Sequence, residues 1–212
     1  MDITFLGHAS FKIKTKTATI VTDPFPNDIG IKFPKVAAEI VTVSHTHDDH
    51  NNVGGVEGVR RVVSGPGEYD ISGVSILGFP SFHDDKKGAE RGKNTMYVFE
   101  AEGMRLAHLG DLGHKLSDED IEELGEIDAL MIPVGGVYSL GPKEAAEVVR
   151  SIEPKVTIPM HYKMVGLGET FAKLETPQPF IAELGLPLEE TKKLTLKGVL
   201  GEEQKIVLLE KS

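Results

Sequence analysis

The chain has 212 residues and a formal net charge of −10 at pH 7, and this length is enough for one well-filled hydrophobic core. Hydrophobic residues make up 40% and charged residues 26% of the chain, values close to those of soluble globular proteins, which excludes a disordered or fibrous protein. Because the chain has no cysteine, it has no disulfide, no thiolate metal ligand and no cysteine nucleophile.

The same features limit where the protein is expected to act and what it is expected to bind. Residues 1–6 lack the long apolar core of a signal peptide, and no window has the length and apolarity of a transmembrane helix. We therefore predict a single domain over residues 1–212 in the cytoplasm. The negative net charge disfavours nucleic acid as a partner, because it would repel a phosphate backbone.

The first part of the chain has the pattern of β-strands. Short β-rich runs at 3–6, 11–14 and 18–22 are separated by small or polar residues, as in a meander. Residues 39–44 are mostly apolar and β-branched, which is typical of a strand that is buried on both faces. This strand ends directly at His45.

Helices and strands alternate in the second part of the chain. One helix is predicted after Ser117, which is followed by acidic residues in its first turn, and another between Pro142 and Pro154. The remaining predicted strands are 61–64, 74–79, 95–100, 105–109, 129–132, 156–158, 194–196 and 206–209. A meander that turns into alternating helix and strand predicts a layered α/β protein.

Three histidines and an aspartate follow the buried strand in the segment His45-Thr46-His47-Asp48-Asp49-His50. In an extended segment, residues two apart point to the same side, so His45 and His47 are able to share one metal ion. After a turn, Asp49 and His50 would face a second position. A polar loop and a structural metal site are the alternatives, but structural zinc sites are usually closed and rich in cysteine. The cluster therefore favours open, catalytic coordination.

The pattern His-x-His-x-Asp-His at the end of a buried strand resembles the signature of the metallo-β-lactamase superfamily. Other residues match the superfamily's later motifs in the expected order, and these are Asp23, His83, Asp111 and His161. Within the superfamily, the segments 7–10, 110–113 and 160–162 resemble small stand-alone hydrolases similar to ascorbate-6-phosphate lactonase.

The resemblance implies an αββα sandwich of two mixed β-sheets flanked by helices, with a binuclear metal centre. It implies His45, His47 and His83 as ligands of the first ion, Asp49, His50 and His161 as ligands of the second, Asp111 as a shared ligand and Asp23 as a support. Zinc is the default metal, and Mn²⁺ or Fe²⁺ also suits such ligands. Two ions about 3.5–4 Å apart would share a hydroxide, which would attack the substrate.

These features predict a hydrolase that acts on a small ester, lactone, thioester or phosphodiester, either neutral or anionic. One alternative is a nuclease of the same superfamily, although such nucleases generally add arms or an inserted domain, and 212 residues leave little room for them. The other alternative is a metal-binding protein without catalysis. The family resemblance does not decide the substrate, because pocket loops select it.

Three residues are candidates for catalysis. Asp49 is expected to orient the attacking water and to accept its proton. His8 and His114 adjoin loops on the ligand side of the sheet, and each is predicted to donate a hydrogen bond to the substrate or to protonate a leaving group. A local hydrogen bond is the alternative for both. His108 lies inside a predicted strand and is expected to pack in the core, while Lys163 would bind a carboxylate or lie on the surface.

Two loops beside the predicted ligands are candidates for substrate contacts. The segment 84–93 follows His83 directly and contains four cations, which are Lys86, Lys87, Arg91 and Lys93. They would hold an anionic group of the substrate, or they would form a charged, solvated loop, since acids are mixed among them. The loop 135–142 is expected to shape the pocket, since α/β sheets place ligands at this kind of edge.

Overall fold

The computed structural model describes residues 1–198 and 200–212. Its helices and strands, in chain order, are β1 (Asp2–Gly7), β2 (Ser10–Lys14), β3 (Thr19–Thr22), β4 (Val36–Ala37), β5 (Ile40–Val43), β6 (Val56–Glu57), β7 (Arg61–Ser64), β8 (Gly67–Ile71), β9 (Val74–Phe82), β10 (Lys93–Ala101), β11 (Met104–His108), α1 (Asp118–Leu124), β12 (Ala129–Pro133), α2 (Pro142–Ile152), β13 (Val156–Met160), α3 (Pro177–Leu184), β14 (Leu188–Thr191), β15 (Leu194–Thr195) and β16 (Lys205–Leu209). Short 3-10 helices lie at Asn27–Ile29, Val53–Gly55 and Glu169–Phe171.

Two mixed β-sheets form the body of the fold. The six-stranded sheet has the order β15-β1-β2-β3-β5-β7, and the eight-stranded sheet has the order β14-β16-β13-β12-β11-β10-β9-β8. In the first sheet β1 and β2 are antiparallel, and β3, β5 and β7 are parallel. In the second sheet β9, β10 and β11 are antiparallel neighbours, and β11, β12 and β13 are parallel. The predicted layered α/β class is confirmed.

Alternation along the strands places one hydrophobic core between the two sheets. Ile20 and Ile40 belong to a cluster that also contains the inward side chains of the eight-stranded sheet, while their neighbours Val21 and Val41 belong to a second cluster. Side chains of β12 and β13 are buried at every position. Both faces of these strands are therefore covered, and α2, with α3 packed beside it, supplies one of the covers.

The second hydrophobic cluster lies on the other face of the six-stranded sheet, and irregular segments cover it. It joins Val21 and Val41 to side chains from residues 25–38 and 171–174, among them Phe33 and Phe171. In the described parts of the chain these covering segments contain 3-10 turns and no α-helix. Pro24, Pro26 and Pro34 favour this irregular conformation in the first segment, because proline interrupts helical hydrogen bonding.

Both helices that were predicted from the sequence are confirmed. Ser117 caps α1 in a capping box with Asp120, and each residue accepts a hydrogen bond from the backbone N–H of the other. Pro142 occupies the first turn of α2, which ends at Ile152, just before Pro154. Among the residues that the structure describes, no helix has both the length and the apolarity that a membrane crossing requires.

Candidate metal centre

The predicted ligands meet where strands of the two sheets end. Strands β1, β3 and β5 run in one direction in their sheet, and β9, β11 and β13 run in one direction in theirs. Each of the candidate residues follows the carboxyl end of one of these strands, and they are His8, Asp23, His45, His47, Asp49, His50, His83, Asp111 and His161. The backbone N–H of His161 donates to the carbonyl of His8 at 2.8 Å, which joins the two sheets at this edge.

Three of these residues have unusual backbone conformations. The φ angles of His8, Asp23 and His161 are 56°, 38° and 51°, in the left-handed region that residues other than glycine rarely adopt. Such strain persists only where the surrounding structure enforces it, and it is found most often at functional sites.

One carboxylate oxygen, Asp111 Oδ2, lies at the centre of the cluster. Imidazole Nε2 atoms surround it at 3.2 Å for His83, 3.2 Å for His161, 3.3 Å for His50 and 3.9 Å for His45. These side chains are almost wholly buried. Burial opposes a charge on Asp111, but His161 and His50 hold its pKa well below the usual range, so it is a carboxylate.

Three groups of residues have ligand atoms that lie within 4.8 Å of one another. One contains His45, His47 and His83, a second contains His8, Asp49, His50 and His161, and a third, Asp23 with His45 and His50, shares one histidine with each of the others. The first two groups correspond to the ligand sets that the family resemblance implied, with His8 added to the second set. Asp111 contacts members of both groups.

The donor atoms in this cluster fit divalent metal ions. His45 Nε2, His50 Nε2 and Asp111 Oδ1 are buried and have no hydrogen-bond partner among the described residues, a situation that costs about 1–3 kcal/mol for each such atom. Burial, followed by the neighbouring His50, lowers the pKa of His45 to about 3, so its ring is neutral and able to ligate. Burial opposes a positive charge on His50, but the carboxylates of Asp111 and Asp23 outweigh it and raise the pKa of this ring well above its usual value. The surroundings of His50 therefore favour positive charge.

Asp23 and Ser44 orient two of the histidines. The carboxylate of Asp23 accepts hydrogen bonds from the Ser44 backbone N–H at 2.8 Å and from His50 Nδ1 at 3.0 Å. Ser44 Oγ donates to Asp23 and lies 2.9 Å from His45 Nδ1. With their Nδ1 atoms held in this way, His45 and His50 direct Nε2 towards Asp111. The oxygens of Asp23 are engaged in these bonds, which agrees with a supporting role and not with ligation.

His8 is buried behind the cluster and holds Asp49. Its Nε2 lies 3.0 Å from Asp49 Oδ2, and its ring packs 4.2 Å from the ring of His161. Burial opposes charge on Asp49, but the hydrogen bond from His8 and the charge of His50 lower the pKa of this carboxyl group. Since a carboxylate is only an acceptor, His8 donates Nε2–H to it. The ring is completely buried and does not line the cavity, and its contact with Asp49 is the local hydrogen bond that was the alternative for His8.

The structure does not bring His114 to the cluster. Its Nδ1 lies 2.8 Å from the carbonyl of Lys115, and its Nε2 accepts a hydrogen bond from the Phe82 N–H at 3.2 Å. Both ring nitrogens are engaged with the backbone, and the side chain lines a different cavity. The structure therefore shows the alternative considered for His114, with a local hydrogen bond to Lys115 and a second bond to the more distant Phe82.

His108 and Lys163 also lie away from the reacting side of the cluster. His108 is fully buried, with Nε2 2.8 Å from the Ala9 carbonyl and Nδ1 accepting from Gly110 N–H, as expected for a packing residue. Lys163 is exposed and does not line the cavity that contains the ligands.

A cavity of about 470 Å³ opens onto the cluster. Five of the candidate ligands line one side of it, and they are His47, Asp49, His83, Asp111 and His161. The other walls are formed by Pro26, Asp28, Ile29, Asp48, Arg91, Tyr138, Thr170 and Phe171. Loop 135–142 was predicted to shape the pocket, and Tyr138 of this loop lines the cavity. Sequence reasoning missed the wall residues from segments 26–29 and 170–171, which have no recognisable motif because long-range contacts bring them to the site.

Two irregular segments interlock to form this wall. Gly168 N–H donates to the carbonyl of Ile29 at 2.8 Å. A side chain on Gly30 would meet Gly166 O at 2.4 Å and Gly168 N at 2.5 Å, so this close approach requires glycine. The hydroxyl of Tyr138 donates to the carbonyl of Thr170 at 2.6 Å, which connects the loop after β12 to the same wall.

Comparison with known proteins agrees with this architecture. The β-lactamase superfamily domain matches residues 2–161. A UPF0173 metal-dependent hydrolase of Methanopyrus kandleri is 33% identical over 225 aligned positions, which cover 89% of this chain and 95% of that protein.

Two solved structures are similar along most of the chain. A protein of Thermotoga maritima, described as a Zn-dependent hydrolase of the metallo-β-lactamase superfamily, has a TM-score of 0.79 and 40% identity, with 98% of each chain covered. A metallo hydrolase of Ignicoccus hospitalis has a TM-score of 0.67 and 20% identity, covers 87% of this chain and 90% of that one, and shows the shared fold. The chain therefore belongs to the metallo-β-lactamase superfamily and, within it, to the family of UPF0173 metal-dependent hydrolases.

Proposed function

We propose that the protein is a binuclear hydrolase whose two metal ions share Asp111. The observation that carries this proposal is the position of Asp111 Oδ2 within 3.3 Å of His83 Nε2 in one ligand group and of His50 and His161 Nε2 in the other. His45, His47 and His83 would hold the first ion. Asp49, His50 and His161 would hold the second.

Two divalent ions bound here would supply a hydroxide near neutral pH and would stabilise the negative charge that develops on the substrate's oxygen. Asp49 both lines the cavity and keeps its carboxylate form, because the hydrogen bond from His8 stabilises that form against the effect of burial. As a carboxylate in the cavity wall, Asp49 would orient the attacking water by accepting a hydrogen bond from it. His8 fixes the orientation of Asp49, while Asp23 fixes that of His50.

The cavity favours a small organic substrate. Its volume of about 470 Å³ is in the range of small-molecule sites. Tyr138, Phe171 and Ile29 offer apolar surface opposite the ligands. The reaction proposed is hydrolysis of an ester, lactone, thioester or phosphodiester bond. The net charge of −10 would repel a polynucleotide backbone, which disfavours the nuclease alternative.

Zinc is the metal that we propose for both positions. The Thermotoga maritima structure is described as a Zn-dependent hydrolase, and imidazole-rich ligand sets suit zinc. Manganese and iron suit the same combination of histidine and carboxylate. The cytoplasmic location, the single-domain organisation and the small-molecule partner remain predictions.

The proposal is tested by assaying purified protein on a panel of carboxylic esters, lactones, thioesters and phosphodiesters before and after chelation. We expect at least one class to be hydrolysed, its turnover to be lost with chelator and to return when zinc, manganese or iron is added. The catalytic proposal is wrong if metal-reconstituted protein turns over no class, or if a turnover is unaffected by complete removal of metal.

A further inference from the structure

One cation lines the cavity that contains the proposed ligands, and it is Arg91. The other three cations of segment 84–93 are placed differently. Lys86 pairs with Glu90, while Lys87 and Lys93 are exposed and do not line the cavity. The sequence suggested that all four cations could bind an anion, but Arg91 alone among them lines the cavity.

The backbone on which Arg91 stands is fixed by a buried carboxylate. Asp84 accepts hydrogen bonds from four backbone N–H groups of its own loop, at 2.9 Å from Lys86, 2.8 Å from Gly88, 2.9 Å from Glu90 and 2.7 Å from Arg91. Burial opposes a charge on Asp84, but the bonds from Arg91, Lys86 and Glu90 lower its pKa to about 2. The loop is therefore organised around a permanent negative charge.

The guanidinium itself is held on the cavity wall. Arg91 Nη2 donates to the carbonyl of Val137 at 3.1 Å, and Cζ lies 5.0 Å from the centre of the Tyr138 ring. Tyr138 is fixed in turn by the hydrogen bond from its hydroxyl to Thr170. This cation–π contact and the hydrogen bond to Val137 restrict the guanidinium, which reduces the entropy lost when it binds a ligand.

The remaining N–H groups of Arg91 are available for a ligand. Across residues 1–198 and 200–212, no carboxylate oxygen lies within 4.0 Å of its guanidinium, and Val137 O is the one protein acceptor that its side chain engages. An arginine held in place without an anionic partner, in a cavity with a proposed metal site, is suited to bind a carboxylate or phosphate with two parallel hydrogen bonds. Asp28 and Asp48, by contrast, are exposed to water, which screens their charges.

We propose that Arg91 is a specificity-determining residue that binds an anionic group of the substrate, a carboxylate or a phosphate, apart from the bond that is cleaved. This inference rests on the proposed hydrolase function. The substrate would then span the cavity, with its reacting bond at the metal centre, its anionic group at Arg91 and its apolar part along Tyr138 and Phe171.

The test compares two esters that share a leaving group, the neutral p-nitrophenyl butyrate and the anionic mono-p-nitrophenyl succinate. Enzymatic hydrolysis adds water across the acyl–oxygen bond and gives p-nitrophenol and butyric or succinic acid. The rate without enzyme, which the neighbouring carboxylate of the succinate ester raises, is subtracted for each ester. We expect Arg91→Gln to lower kcat/KM for the succinate ester by about 10- to 100-fold, mostly through KM, and to change that for the butyrate ester by less than about threefold. Arg91→Lys should fall between the two, since it keeps the charge and loses the paired donors.

Lys87→Gln is the matched control, because it removes one positive charge from the same loop at a residue outside the cavity lining. It should leave both esters unchanged. Equal loss on both esters in Arg91→Gln would show a structural role and would overturn the inference, as would an unchanged preference for the succinate ester.

A binding measurement separates failure of this inference from failure of the hydrolase proposal. If zinc-loaded protein hydrolyses neither ester, calorimetric titration with succinate and with methyl phosphate still reports on Arg91 and shows which anion it prefers. We expect Arg91→Gln to weaken binding of at least one of them by about tenfold or more. Equal affinities of the wild-type protein and Arg91→Gln for both anions would overturn the inference.

Discussion

At the scale of single residues, hydrogen bonds from neighbouring side chains hold the proposed ligands in place. Asp23 is fully buried and accepts hydrogen bonds from Ser44 and His50. Asp23→Ala would leave these donors without an acceptor and would free the His50 ring, so we expect metal affinity to fall by about 10- to 100-fold. Competition with a chromophoric chelator measures this change.

The exposed Asp70 provides the matched control for that experiment. Asp70→Ala removes a carboxylate at the surface and should leave metal affinity unchanged. An Asp23→Ala variant that binds metal as tightly as the Asp70→Ala variant would contradict the supporting role of Asp23.

His8 and His114 had the same prediction from sequence, and the structure separates them. His8→Ala removes the hydrogen bond to Asp49, and we expect kcat to fall by about 10- to 100-fold, with metal bound less tightly at the second position. His114→Ala should preserve both properties, because its ring bonds only to the backbone groups of Phe82 and Lys115 and contacts none of the proposed ligands' side chains. Parallel assays of the two variants on a substrate found for the wild-type protein test this contrast, and equal losses would contradict it.

Residue identities at the centre were predictable, whereas their neighbours were not. The segment from His45 to His50 follows a buried strand, so a local pattern was sufficient there. The later candidates are weak as single motifs and were identified by the order that the superfamily shares. Burial of His8 depends on its packing against His161, and Phe171 reaches the cavity through its own distant loop. Contacts between residues so far apart along the chain have no local pattern.

At the scale of elements, the loop that carries Arg91 depends on Asp84. Asp84→Asn leaves four N–H groups facing a neutral side chain that is both donor and acceptor, so we expect the amides of residues 86–91 to exchange hydrogen faster. Hydrogen-exchange mass spectrometry measures this. Asp85→Asn is the control, because Asp85 is exposed, and equal exchange in the two variants would contradict the role of Asp84.

The same carboxylate gives the loop a defined pH dependence. Because the pKa of Asp84 is lowered to about 2 from its ordinary value of 3.8, its stabilising contribution is fully present above the ordinary value and is lost as the pH falls towards 2. The loop should therefore keep its slow exchange at pH 5 relative to Asp84→Asn.

Most helices and strands were predicted because their hydrophobic pattern is clear. The elements that were missed have a weak hydrophobic pattern. The strands β5, β12 and β13 are mostly apolar and buried at every position. Strand β8 lies at the edge of its sheet with mostly exposed residues, so alternation is weak there. Helix α3 has only two buried residues, although Pro177 in its first turn and Gly185 after its last were usable signals.

At the scale of the whole molecule, the metal centre joins the two sheets. Its residues come from strand ends of both, so bound metal should stabilise the folded state. At a free metal concentration 100 times Kd, one ion contributes about 2.7 kcal/mol, which corresponds to a rise in Tm of about 5–10 °C for a chain of this size. Thermal unfolding with and without chelator measures the shift, which should be much smaller in Asp111→Asn.

The number of metal ions per chain tests the central claim most directly. Protein reconstituted with excess zinc and freed of unbound metal should contain about two equivalents by plasma mass spectrometry. The His47→Ala variant, which lacks one ligand of the first group, should retain about one. A wild-type protein that holds one equivalent or fewer would contradict the shared role of Asp111 between two ions.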